Sequence, residues 1–82
     1  MTEETKFAIV EYMQNRADLG EGKRTVIDGV RMDYEDGWGL CRASNTSPKL
    51  VTRYEAVDEE TLSGIRHCFE TAIAKAIEKN GL

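Results

Sequence analysis

From Asp58 to Lys79, the side chains of Leu62, Ile65, Phe69, Ala72, Ile73, Ala76 and Ile77 recur at helical spacing and form one apolar stripe. A helix this long with one apolar side must lie on another layer of structure. Its ends are marked. Asp58 suits an N-cap, and Glu59 and Glu60 stand in the first turn, where the helix dipole favours anions. Lys75 and Lys79 suit the far end, and Asn80-Gly81 is a stop.

The layer beneath that helix is written upstream in a different period. Val30, Met32 and Tyr34 alternate with Arg31, Asp33 and Glu35, as a half-buried strand requires. Trp38 to Ala43 returns after the hairpin signal Asp36-Gly37, and Leu50 to Ala56 forms a further strand. Thr25-Val26-Ile27 is rich in β-formers, and Asp28-Gly29 after it suits a tight turn. Residues 5–17 read as a helix with Phe7, Val10, Met13 or Gln14, and Ala17 on one side. Thr2 or Thr5 caps its start, and Gly20-Glu21-Gly22 ends it. The expected architecture is α+β: an antiparallel sheet of three to four strands with both helices packed on one face.

At 82 residues the chain is expected to be one domain with one modest core. Fifteen acidic residues against eleven basic ones give a net charge of −4, the wrong sign for sequence-independent nucleic-acid binding. No apolar run approaches the roughly 18 residues of a membrane span, and the polar start Met1-Thr2-Glu3-Glu4-Thr5 is not a signal peptide. Cys41 and Cys68 each sit in an apolar pattern and are expected to be reduced, buried thiols in a cytoplasmic protein. Asn45-Thr46-Ser47 formally matches a glycosylation acceptor, without a secretory signal to support it.

One loop carries chemistry. Arg42 offers a planar fork of donors with a permanent charge. Ser44 and Thr46 offer hydroxyls, Asn45 an amide, and Pro48 restricts Ser47 and stiffens the exit. Nothing between Leu40 and Thr52 is acidic. That set suits a tetrahedral dianion such as a phosphate monoester. An ordinary polar hairpin loop uses the same residues, and Arg42 and Arg53 also read as solvated strand residues or partners of Glu35 and Asp33. Composition leaves these readings side by side. Other candidates are weaker. Gly20-Glu21-Gly22-Lys23 lacks the P-loop's glycine at Ala17 and its hydroxyl at Arg24. On a helix, His67 and Cys68 diverge, which leaves no metal site or dyad there. Asp33, Glu35 and Asp36 read as a charged strand face and a turn, and Trp38 as packing on the sheet. No nucleophile–base–orienter set is visible, so no catalytic residue is assigned.

Several segments occur together in unbroken order: Asp28-Gly29-Val30-Arg31-Met32-Asp33-Tyr34, Asp36-Gly37-Trp38-Gly39-Leu40, Arg42-Ala43-Ser44-Asn45-Thr46-Ser47-Pro48 and Arg53-Tyr54-Glu55-Ala56. With Lys6-Phe7-Ala8-Ile9 and the closing helix, they resemble the C-terminal domain of the α-D-phosphohexomutases, nearest to the bacterial phosphomannomutase/phosphoglucomutase branch. The resemblance implies a TATA-binding-protein-like fold and a place as the fourth domain of a mutase. Such enzymes interconvert hexose 1-phosphate and hexose 6-phosphate through a bisphosphorylated intermediate.

It also implies that the serine nucleophile and the Mg²⁺ ligands lie in the other three domains, while this one grips the non-reacting phosphate of a mannose or glucose phosphate and closes the site. Carried over by motif, Arg42, Ser44, Asn45 and Thr46 hold that phosphate. Ser47 stands where threonine or glutamate is common and is secondary, and Arg53 supports the site. The family's fourth domain normally begins with a strand before its first helix. This chain starts almost at that helix and is read as an excised fragment, inactive alone. The alternative is a stand-alone anion-binding, protein-interaction or nucleic-acid module without a catalytic role.

Overall fold

The computed structural model describes residues 3–44, 46 and 49–79. Six elements follow in order: α1 (Glu3–Asn15), β1 (Lys23–Thr25), β2 (Val30–Tyr34), β3 (Gly37–Ala43), β4 (Leu50–Ala56) and α2 (Glu59–Lys79). The strands form one antiparallel sheet in the order β1-β2-β3-β4. Both helices pack on one face of it, α1 over β2 and β3 and α2 over β3 and β4. This is the expected α+β architecture, with the fourth strand present.

The sheet's alternation decides which residues meet the helices. Val30, Met32 and Cys41 are buried with Ile9 and Met13 of α1 and with Ile65, Phe69, Ala72 and Ala76 of α2. Gly39 lies under the Phe69 ring, and Tyr54 beside it meets that ring edge-on at 5.5 Å between centroids. Arg31, Asp33, Trp38, Leu40, Arg42, Val51, Arg53 and Glu55 alternate with these residues and occupy the face without helices. There the Arg31 guanidinium stacks 4.4 Å from the Trp38 ring centroid.

Three expectations shift. First, α1 ends at Asn15, so Ala17 is buried beyond the helix, and Phe7 is 59% exposed. Lys6, Ile9, Val10 and Met13 form the inward side instead. Thr5 lies inside the helix, while Thr2 lies outside the described residues, as do Met1 and the stop Asn80-Gly81. Second, β1 is Lys23–Thr25, and Val26 and Ile27 are exposed in the connection to β2. The reason is tertiary: Arg24 donates to the carbonyls of Met13 (3.3 Å), Gln14 (3.1 Å) and Ala17 (2.6 Å), satisfying the unpaired C-terminal end of α1. Third, the two-residue hairpin loop is Glu35-Asp36, since Tyr34 pairs with Gly37. Cys41 is fully buried, but Cys68 is only half-buried, and both are free.

The start of α2 matches its sequence signal. Asp58 accepts the Thr61 N–H at 2.7 Å, and that bond holds its carboxyl below the usual carboxylate range. Replacing Asp58 with Ala is expected to lower Tm by about 5 °C at neutral pH. A depressed folded-state pKa contributes stability above the unfolded value and loses it as pH falls through the folded one. The gap between the parent and Asp58→Ala should therefore narrow as pH falls through the acid range. Thermal melts at neutral and acid pH check this.

Candidate functional site

The loop joining β3 to β4 is held at its base by the strand ladder. Ala43 pairs with Leu50, and one residue further the Ser44 N–H donates to the Lys49 carbonyl at 2.9 Å. Ser44 is 8% exposed, and its Oγ accepts the Thr46 N–H at 3.3 Å and lies 3.4 Å from Thr46 Oγ1. A serine bonding the backbone two residues on is a local turn device. Thr46 itself is exposed. Of the other predicted loop residues, Asn45 and Ser47, with Pro48, lie outside the described residues.

Arg42 is half-buried near the end of β3, on the helix-free face, directly opposite Val51. Arg53 is two residues along β4 on the same face, so the two guanidinium side chains start from diagonal positions about 7–8 Å apart. Among the described residues, neither makes a side-chain hydrogen bond or ion pair. The suggested partners are engaged or remote. Asp33 is taken by Arg31 at 3.1 Å, and Glu35 sits in the hairpin loop at the opposite end of β3 from Arg42. Asp28, in the β1–β2 connection at the same end of the sheet, has φ of 54°.

Gly29, next to it, has φ of 135°, and a Cβ there would come within 2.5 Å of the Cys41 carbonyl oxygen and 2.6 Å of Arg42 Cβ. Only glycine lets that connection pass so close to Arg42.

The loop is also supported from below, which the sequence reading missed. Lys6 is 1% exposed, and its Nζ donates to the Ser44 carbonyl. The Phe7 ring centroid is 5.2 Å from the same Nζ. The signal was present in the pattern: position 6 belongs to the same helical face as Ile9, Val10 and Met13.

Other chemistry is muted. Burial pushes the Cys41 thiol up to about 11, so it stays protonated and is no nucleophile. His67 is exposed, as expected. Burial, with a smaller effect of Cys68, raises the Tyr34 hydroxyl well above its usual range, and that hydroxyl donates to the Leu19 carbonyl at 2.5 Å. An open, mainly apolar groove of about 470 Å³ runs between Leu19, Tyr34, Gly64 and Cys68. It lies at the other end of the sheet and contains none of the predicted site residues. Among the described residues, no three His, Cys, Asp or Glu side chains gather closely enough to hold a metal.

Comparison with known proteins gives a consistent picture. The family described as "Phosphoglucomutase/phosphomannomutase, C-terminal domain" matches residues 1–72. A phosphomannomutase/phosphoglucomutase of Pseudomonas aeruginosa is 51% identical over 80 residues, 98% of this chain and 17% of that protein. A phosphoglucomutase of Neisseria meningitidis serogroup B is 38% identical over 66 residues, 79% of this chain and 14% of that protein. Among solved structures, a phosphoglucomutase/phosphomannomutase family protein from Burkholderia thailandensis superposes with a TM-score of 0.77 at 35% identity. That match covers 83% of this chain and 15% of the other. The chain thus spans less than a fifth of the length of each of these relatives.

Proposed function

The chain belongs to the phosphoglucomutase/phosphomannomutase family, as its C-terminal domain, and on that premise we propose that it grips the non-reacting phosphate of a hexose phosphate and closes the mutase site over it. In the whole enzyme, a hexose 1-phosphate and a hexose 6-phosphate are interconverted through a bisphosphorylated sugar, and residues 1–82 act as one of four domains. The substrate is a mannose or glucose phosphate. The observation that carries the proposal is the pair Arg42 and Arg53, diagonal on one open sheet face beside a hydroxyl-bearing loop and without partners among the described residues.

Each residue has a role in this reading. Arg42 supplies the charge and a two-pronged hydrogen-bonding edge. The loop residues Ser44, Asn45, Thr46 and Ser47 supply neutral donors. Arg53 adds field from the neighbouring strand. A bisphosphate must bind in two orientations during one turnover. Donors directed at a phosphate accept both, because they read no particular sugar. Binding energy gained here can be used at a distant reacting centre, and no general base is needed for it. Closure of the domain would keep water from the intermediate. Mg²⁺ supplies charge stabilisation to the phosphoryl transfer when bound elsewhere in the enzyme, and no step is assigned to a metal held by this chain. Among the described residues, no helix is long and apolar enough to cross a membrane. Two free thiols and a sugar-phosphate substrate fit a reducing cytoplasmic setting.

Titration of this chain with inorganic phosphate, glucose 1-phosphate or mannose 1-phosphate, followed by backbone amide NMR, tests the site. Weak binding with shifts centred on residues 42–47 is expected. Shifts scattered elsewhere, or none at tens of millimolar ligand, would remove the loop assignment. A larger, salt-sensitive response to duplex DNA would favour an interaction module instead.

A further inference from the structure

We infer that Lys6 is a positioning residue of the phosphate loop, holding from the core side the backbone that presents the loop's donors. The inference rests on the phosphate-binding reading above and adds a residue to it. Lys6 and Ser44 are 38 positions apart in sequence, yet the Lys6 Nζ bonds the Ser44 carbonyl in a buried contact. Local physics does not favour lysine at this position. It lies in the first turn of α1 as described, where the helix dipole disfavours a cation. It is 1% exposed, on the side that otherwise carries Ile9, Val10 and Met13, where an apolar side chain would be cheaper to bury. Two unfavourable terms are thus accepted at a residue whose ammonium reaches the base of the anion loop.

The geometry shows what is gained. All three polar groups of Ser44 are engaged: its N–H with Lys49, its Oγ with Thr46, its carbonyl with Lys6. The loop therefore leaves the sheet from a fixed point. The buried ammonium also adds a positive field that solvent ions screen poorly.

The test uses inorganic phosphate and three forms of this chain. Lys6→Met removes charge and donor while nearly keeping length. Lys6→Gln keeps a donor without the charge. In the parent, the Lys6 side-chain ¹⁵Nζ signal should move as phosphate saturates the loop. Lys6→Met should weaken phosphate binding about tenfold, and Lys6→Gln less. A role in stability alone would change melting and leave the ¹⁵Nζ signal and the affinity in place. If the parent shows no phosphate shifts at residues 42–46, the phosphate reading itself fails and takes this inference with it. If the parent binds but Lys6→Met binds within twofold of it, Lys6 is not a positioning residue and the phosphate reading stands. Should Lys6→Met not fold, the parent's ¹⁵Nζ signal decides, and a signal unmoved at saturation overturns the inference.

Discussion

Replacing Arg42 with Ala is expected to weaken phosphate binding by this chain about 10- to 150-fold while leaving Tm within a few degrees of the parent. The size follows from the bond lost. A hydrogen bond to a charged group contributes about 1.5–3 kcal/mol, and each 1.4 kcal/mol is roughly a factor of ten in affinity. The small stability effect follows from the structure. Arg42 is half-buried on the helix-free face and its side chain bonds no described residue, so its removal orphans nothing in the core. Arg42→Lys should recover only part of the loss, because an ammonium is a point charge and cannot present two parallel N–H groups. Arg53→Ala, one diagonal further from the loop, should cost no more than about threefold.

In a full-length mutase the Arg42 change should lower kcat/KM by about 100-fold, since the grip contributes to orienting the reacting end. Binding of phosphate to Arg42→Ala with parental affinity would show that the loop is an ordinary hairpin.

The largest effect on stability is expected from Phe69→Ala. Truncating a fully buried phenylalanine costs about 3–5 kcal/mol, and at this chain length that corresponds to a fall in Tm of roughly 15–30 °C. A domain of this size has only about 4–12 kcal/mol in total. Phe69 is 0% exposed, meets Tyr54 edge-on and occupies the volume above Gly39, where a Cβ would come within 2.6 Å of its ring. The glycine and the ring are thus one packing unit. Gly39→Ala alone should destabilise by about 1–3 kcal/mol through overpacking. Combined with Phe69→Leu, which vacates part of that space, it should cost less than the sum of the two single changes. Chemical denaturation of the four forms measures the coupling. Strict additivity would mean that the ring does not seat on Gly39.

Legibility differed between elements for identifiable reasons. The α2 stripe and its Asp58 cap were readable because both lie within a few residues of the groups they satisfy. The alternation of β2 was readable because a pleated strand alternates strictly, but that Arg42 and Arg53 share one face was decided by the register of β3 against β4. The start of the sheet was not readable. Val26 and Ile27 have higher strand propensity than Lys23 and Arg24, yet β1 uses the latter because Arg24 reaches the open end of α1. The register of α1 was displaced for a similar reason: Lys6, not Phe7, points inward, and its partner is a carbonyl far along the chain.

The sequence by itself therefore determined the layers, the alternation of β2 and the family, and it singled out one loop as a candidate for anion binding. Each is written in local period or contiguous motif. Tertiary structure decided which cation stands beneath the loop, which guanidinium groups remain without partners among the described residues and where the first strand begins. Those depend on contacts between segments distant in the chain, and periodicity puts a side chain on a face without naming the group it meets there.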